Sequence, residues 1–219
     1  MFFPKKNYQP GLSPKRIEAF SDGVFTVAIT LLVLGIALPV LTPVEVSEGK
    51  LLPALIALWP KFLVYAVSYF IIGIFWSAHH IMFHYIHRSD RVLLWLNLVF
   101  LLMISFLPFP VALIGQYRQD MTAIILYGST LFLAGLFFAL IWLYATREHR
   151  LVARDLDPRI ITLGMKMILL APIAYGIALL LTLVNPLYSL VLYVLVPIFY
   201  LLPSPVDELV HAASLKENR

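Results

Sequence analysis

Long apolar runs alternate with short polar ones along this chain, and the length of the runs is the first signal. Crossing about 30 Å of hydrocarbon takes about 20 helical residues at a rise of about 1.5 Å each. Runs of that order occupy residues 20–41, 62–83, 92–115, 121–145 and 161–184, and a shorter one covers 187–202. The pattern predicts six membrane-spanning helices. Residues 51–60 (LLPALIALWP) are apolar but short and hold two prolines, which places them at the interface before the second span, with Lys61 at the water boundary. Asn185 and Pro186 form a turn signal between the last two runs, so those helices are expected to pair as a tight antiparallel hairpin. The expected fold is all-α. One membrane domain over 20–203 lies between an N-terminal arm, 1–19, and a C-terminal tail, 204–219.

Composition sharpens this picture. With 61% hydrophobic and 13% charged residues and a mean hydropathy of +0.90, the chain has too little polar surface for a soluble globule. The absence of cysteine excludes disulfides, thiolate metal sites and iron-sulfur chemistry. The segment MFFPKKNYQPGLSPKR has basic residues but no apolar stretch with a small-residue cleavage site, so no removable signal peptide is expected.

The net charge of +4 is spread over the polar segments rather than gathered into a nucleic-acid-binding patch. With loops alternating across the membrane, thirteen of the sixteen Lys and Arg fall on one side: Lys5, Lys6, Lys15, Arg16, Arg88, Arg91, Arg147, Arg150, Arg154, Arg159, Lys166, Lys216 and Arg219. Lys50, Lys61 and Arg118 fall on the other. Cytoplasmic loops carry the excess of positive charge, which predicts both termini in the cytoplasm.

Asp22 sits just inside the first apolar run. A carboxylate at mid-membrane costs about 2.5 to 3.5 kcal/mol, less near a helix end, so Asp22 needs partners. Arg16 lies six residues away, about 240° around a helix, outside the neighbours that pair directly. The partner must come from another helix. Trp76, Ser77, His79 and His80 near the end of the second run, and Asn97 near the start of the third, lie at the same depth as Ser21 and Asp22. A buried polar cluster at one end of the bundle follows, either a clamp fixing helix packing or a proton or voltage sensor.

His80, His84 and His87 follow i, i+4, i+7 spacing with Asp90 nearby, which makes them a candidate metal site. Enzymatic motifs are missing: there is no Gly-x-Ser-x-Gly elbow, no His-Glu-x-x-His and no phosphate loop. The deep membrane positions are almost wholly apolar, which speaks against an intramembrane protease.

Arg16, Phe20, Ser21 and Asp22 form an RxxxFSD signature that resembles the transmembrane protein 175 family, the lysosomal potassium channels and their prokaryotic relatives. The continuation GVFTVAITLLVL, the Trp76, His79, Phe83 pattern, and LNL at 96–98 followed by FLPF at 106–109 are similar to that family too, through about residue 115. Animal members carry two six-helix repeats, whereas one signature implies the prokaryotic single-repeat type, a homotetramer in a prokaryotic inner membrane. The resemblance implies a potassium-selective channel with no organic cofactor, K+ as the permeant ion and the first helix lining the pore. Its narrow positions map onto Val27, Thr30, Leu31 and Leu34.

These four fall on one helical face, but the opposite face (Phe25, Ile29, Leu32, Ile36) is equally apolar, so periodicity does not choose between them. The chain departs from the family at Val27, where a larger Ile or Leu is usual. No TVGYG filter is present, so selectivity by the family's device implies a hydrophobic constriction that strips part of the hydration shell. The alternatives are a proton channel or proton-linked transporter using Asp22 and the His79/His80 region, and a non-conducting membrane scaffold.

Overall fold

The computed structural model describes residues 13–202. Lys5, Lys6, Lys216, Arg219 and the tail 204–219 lie outside the described residues. Nine α-helices follow one another among those described: α1 (Pro14–Leu32), α2 (Pro43–Ser47), α3 (Leu51–Ala57), α4 (Trp59–Tyr85), α5 (Arg91–Phe106), α6 (Pro108–Gln116), α7 (Met121–Thr146), α8 (Pro158–Thr182) and α9 (Pro186–Leu201). Proline opens α1, α2, α8 and α9, where its fixed φ suits the first turn and its missing N–H costs nothing. The side chains of Asp90, Asp120, Asp157 and Asn185 cap α5, α7, α8 and α9 through bonds of 2.8–2.9 Å to the first-turn amides.

Among the described residues, five helical segments are long and apolar enough to cross a membrane: Pro14–Gly35, Trp59–Tyr85, Arg91–Gln116, Met121–His149 and Pro158–Thr182. The sixth expected span is the 16-residue α9, about 24 Å long and shorter than the hydrocarbon layer. The first expected span, 20–41, is shifted. Its helix begins at Pro14, tightens into a 3-10 turn over Val33–Gly35 and stops at Ile36, whose backbone is extended. Residues 51–60 are divided between α3 and the first turn of α4, with a turn at Leu58 between them.

The third run is divided at Leu107. Pro108 and Pro110 lack the amides that would bond back to the preceding turn, and Leu107 N–H instead reaches Ile104 at 3.2 Å, so the chain continues as α6. Gly35 lies against this second piece: a Cβ there would stand 3.0 Å from that of Ala112.

The central element is α7, apolar all round and buried on most of its length, as a helix enclosed by others must be. It packs chiefly against α8 and α5. The expected hairpin of the last two runs is present, with a Ser189 bond to the Ala178 carbonyl at 2.7 Å and a Tyr200 bond to the Met167 carbonyl at 2.5 Å running antiparallel along α8 and α9. At the same end as the start of α5, Ile86 and Val152 form an antiparallel bridge. Arg88 donates to the carbonyls of His149 and Val152 at 2.8 and 3.0 Å there, tying the α4–α5 turn to the α7–α8 loop. At the opposite end Lys61 bonds Gln116 at 2.6 Å.

Candidate functional site

α1 has two faces of different fate. Ile17, Ser21, Phe25, Ala28 and Leu32 are buried against α4 and α5. Phe20, Gly23, Val27, Thr30, Leu31 and Leu34 form the outward face, with Val27 56%, Leu31 42% and Leu34 75% exposed in the protomer. The four predicted narrow positions therefore share one unpartnered stripe. Of the opposite, equally apolar face, Phe25 and Leu32 are 1% exposed. An open groove runs along the outward face, lined by Phe20, Gly23, Val27, Leu31 and, from α5, Ser105.

Thr30 adds a polar group to this stripe. Its hydroxyl donates back to the carbonyls of Thr26 and Val27 at 3.0 and 2.9 Å. The proton is thereby turned into the helix, and the oxygen lone pairs remain as acceptors.

Behind the stripe, the polar residues meet in two groups. The first is buried. His79 and Asn97 lie 2.9 Å apart through Nε2 and Oδ1, Asn97 Nδ2 donates to Ser21 Oγ at 3.0 Å, and Ser21 donates to the Ile17 carbonyl at 2.8 Å. Because the Asn97 oxygen only accepts, the chain of donors runs from an Nε2–H imidazole to Asn97, to Ser21, to the α1 backbone. His79 stacks on Phe83 at 4.3 Å and meets Phe25 edge-on at 5.7 Å, within a packed group that includes Phe100, Phe75 and Phe138. Its Nδ1 is buried with no partner among the described residues.

The second group is more exposed. Trp76 Nε1 donates to Asp22 at 2.9 Å, and one turn away His80 pairs with Glu18 at 2.8 Å. Asp22 thus finds its partner on another helix, as its isolation on α1 demands.

Arg16 does not join either group: it is exposed, with no side-chain partner among the described residues, as its angular distance from Asp22 requires. Phe20 is on the outward face, 57% exposed. Ser77 is exposed as well. The Glu18–His80 pair was not anticipated, although the sequence carries its signal: acids at 18 and 22, and donors at 76 and 80, repeat with the same four-residue spacing. The His80, His84, His87 arrangement is not assembled. α4 ends at Tyr85, so His87 leaves the helical face, and no group of three ligand-type side chains able to hold a metal occurs among the described residues.

The family described as endosomal/lysosomal potassium channel TMEM175 matches residues 16–108. A potassium channel of Streptomyces collinus is 40% identical over 149 residues, covering 66% of this chain and 68% of the relative. The human endosomal/lysosomal proton channel TMEM175 is 34% identical over 157 residues, covering 68% of this chain and 31% of the much longer relative. Among solved structures, a lysosomal potassium-selective channel TMEM175 homologue from Chamaesiphon minutus superposes with a TM-score of 0.75 at 29% identity, covering 85% of this chain and 95% of that one. The signature helix, its partners on α4 and α5, and these relatives agree: the chain belongs to the TMEM175 family, a family of ion channels and not of enzymes.

Proposed function

We propose that four copies of this chain form a potassium-selective channel in which α1 lines the pore and Val27, Thr30, Leu31 and Leu34 make its narrow part. The observation that carries the reading is the unpartnered stripe of α1: an apolar face with inward-bonded threonine, on a helix whose other face is locked to its own protomer. The prokaryotic relative named a potassium channel supports it. A narrow apolar ring forces an ion to give up part of its hydration shell, which K+ does at lower cost than Na+, and the Thr30 oxygens replace some of what is lost. Val27, smaller than the Ile or Leu usual there, leaves this ring wider. α9 completes six spans, and both termini face the cytoplasm of a prokaryotic cell. That orientation is supported by Arg88, which joins the basic α4–α5 turn to the basic α7–α8 loop at one end while Lys61 lies at the other.

The test is ion flux from purified protein in liposomes under opposed K+ and Na+ gradients. The parent is expected to pass K+ preferentially, and Leu34→Ala and Thr30→Ala to change the K+/Na+ ratio. Flux indifferent to both substitutions would remove α1 from the conduction path. A proton-conducting reading is favoured by the animal relatives, which are named proton channels, and by Asp22 and His80 at the membrane boundary. It predicts that Asp22→Asn abolishes proton flux with assembly intact, whereas a clamp predicts reduced assembly.

A further inference from the structure

Away from α1, an apolar cleft opens between α4 and α8. Ala78 and Met82 face Gly164 and Met167 across it, with the buried Trp142 of α7 as its floor. It continues past Phe75, Ala171 and Tyr175 over Phe138 to the Tyr200 end of α9, and Ala78, Met167 and Ile168 line both stretches. The walls are apolar and belong to helices long and apolar enough to span a membrane, so an acyl chain wets this cleft at lower cost than water does.

One end of the cleft is basic. Arg159, Thr162 and Lys166 line a depression that shares Leu163 with it. Seven residues separate the two cations, which puts them on one face of α8, about 10 Å apart along its axis. Both are exposed, and neither side chain has a hydrogen-bond or ion-pair partner among the described residues. Lys166 stands about 12 Å along α8 from Pro158, inside the span. A lysine at that depth without a protein counter-charge reaches back along its stem toward the headgroup layer. Asp157, the nearest carboxylate in sequence to Arg159, is engaged in capping α8 at 2.8 Å.

We infer that this cleft holds one anionic glycerophospholipid, its phosphate between Arg159 and Lys166 and an acyl chain lying between α4 and α8. Charge complementarity selects the headgroup, and the apolar trough that runs beside the cations and continues past them to Tyr175 receives the tail. Free phosphate has the charge but nothing for the trough, and a neutral lipid has the tail but no use for the cations.

Native mass spectrometry of the full assembly in neutral detergent tests this, with phosphatidylglycerol and phosphatidylcholine of identical acyl chains offered in equal amount. The parent is expected to retain phosphatidylglycerol preferentially. Arg159→Gln and Lys166→Gln are each expected to lower that retention about fivefold and leave phosphatidylcholine unchanged. Ala78→Phe, which fills the trough, is expected to lower retention of both lipids. Should that variant not assemble, Met167→Trp narrows the same trough from α8. Equal retention of the two lipids by the parent overturns the inference, as does a preference that survives loss of both charges. Loss of preference on charge removal with no effect of filling the trough, or displacement of the lipid by inorganic phosphate alone, reduces the site to a surface anion patch and overturns the acyl half.

Discussion

Asn97 carries two obligations at once, accepting from His79 and donating to Ser21, in a place where all three residues are fully buried. Replacing it with Leu leaves His79 Nε2 without its partner and Ser21 with only its bond to the Ile17 carbonyl, and a buried polar group left unsatisfied costs about 1–3 kcal/mol. Asn97→Leu is therefore expected to lower the thermal unfolding midpoint in detergent far more than Ser77→Ala, a change at an exposed neighbour; differential scanning fluorimetry reads both. Gly128 is a second sensitive residue, because a Cβ there would collide with the hydroxyl of Tyr193 and approach Leu179 to 2.9 Å. Gly128→Ala is expected to destabilise by about 1–3 kcal/mol through overpacking, with Tyr193→Phe in the same chain restoring part of the loss. At this scale the sequence was informative about need and less so about pairing. Asp22 visibly required a partner and Arg16 visibly was not it, yet which of five polar residues would answer depended on the relative heights of α1, α4 and α5. That register is a tertiary property.

Helix by helix, α1 is the element whose two faces were indistinguishable in hydropathy, since Phe25 and Leu32 are as apolar as Val27 and Leu31. Shape separates them: Phe25 fits among His79 and Phe100, and Ala28 permits close packing, whereas the outward residues Val27, Leu31 and Leu34 stay 42–75% exposed, the first two along an open groove. The proline break after Leu107 was written in FLPFP but hidden by unbroken hydropathy, and the early end of α1 was hidden by the apolar residues 36–41. Between the first two spans, α2 is held by a capping box in which the Thr42 amide and hydroxyl reach the Glu45 carboxylate at 2.9 and 2.8 Å. These bonds, the backbone one foremost, hold the Glu45 carboxyl below its ordinary 4.5. The cap is complete above that ordinary value and is lost as pH falls through the lowered one. Amide protection factors over 42–48 are expected to fall at acid pH in the parent, and to be low and flat in Glu45→Gln, when followed by hydrogen exchange.

For the whole molecule, the chain's lack of cysteine supplies a clean background for the proposed assembly. If the outward stripe of α1 surrounds a central axis, Leu34→Cys is expected to cross-link protomers under mild oxidation, whereas a cysteine in place of Leu180, exposed on the far side of α8, leaves monomers on a denaturing gel. Monomers from both variants would refute a central α1. Five spans among the described residues were legible because lipid imposes length directly on sequence. The apolar pattern counts α9 among six spans; the structure gives it 16 residues, short of the length the five spans reach, with Ser189 and Tyr193 buried among its neighbours.

The bonds behind α1 set the terms on which an aperture among four such helices changes width. Spinning α1 by a single residue, about 100°, would tear Ser21 from Asn97, Asp22 from Trp76 and Glu18 from His80 together. The helix is thus no free axle. In the proposed assembly it moves as the inner edge of a wedge whose body is α4 and α5, with α7 packed against α5 behind it.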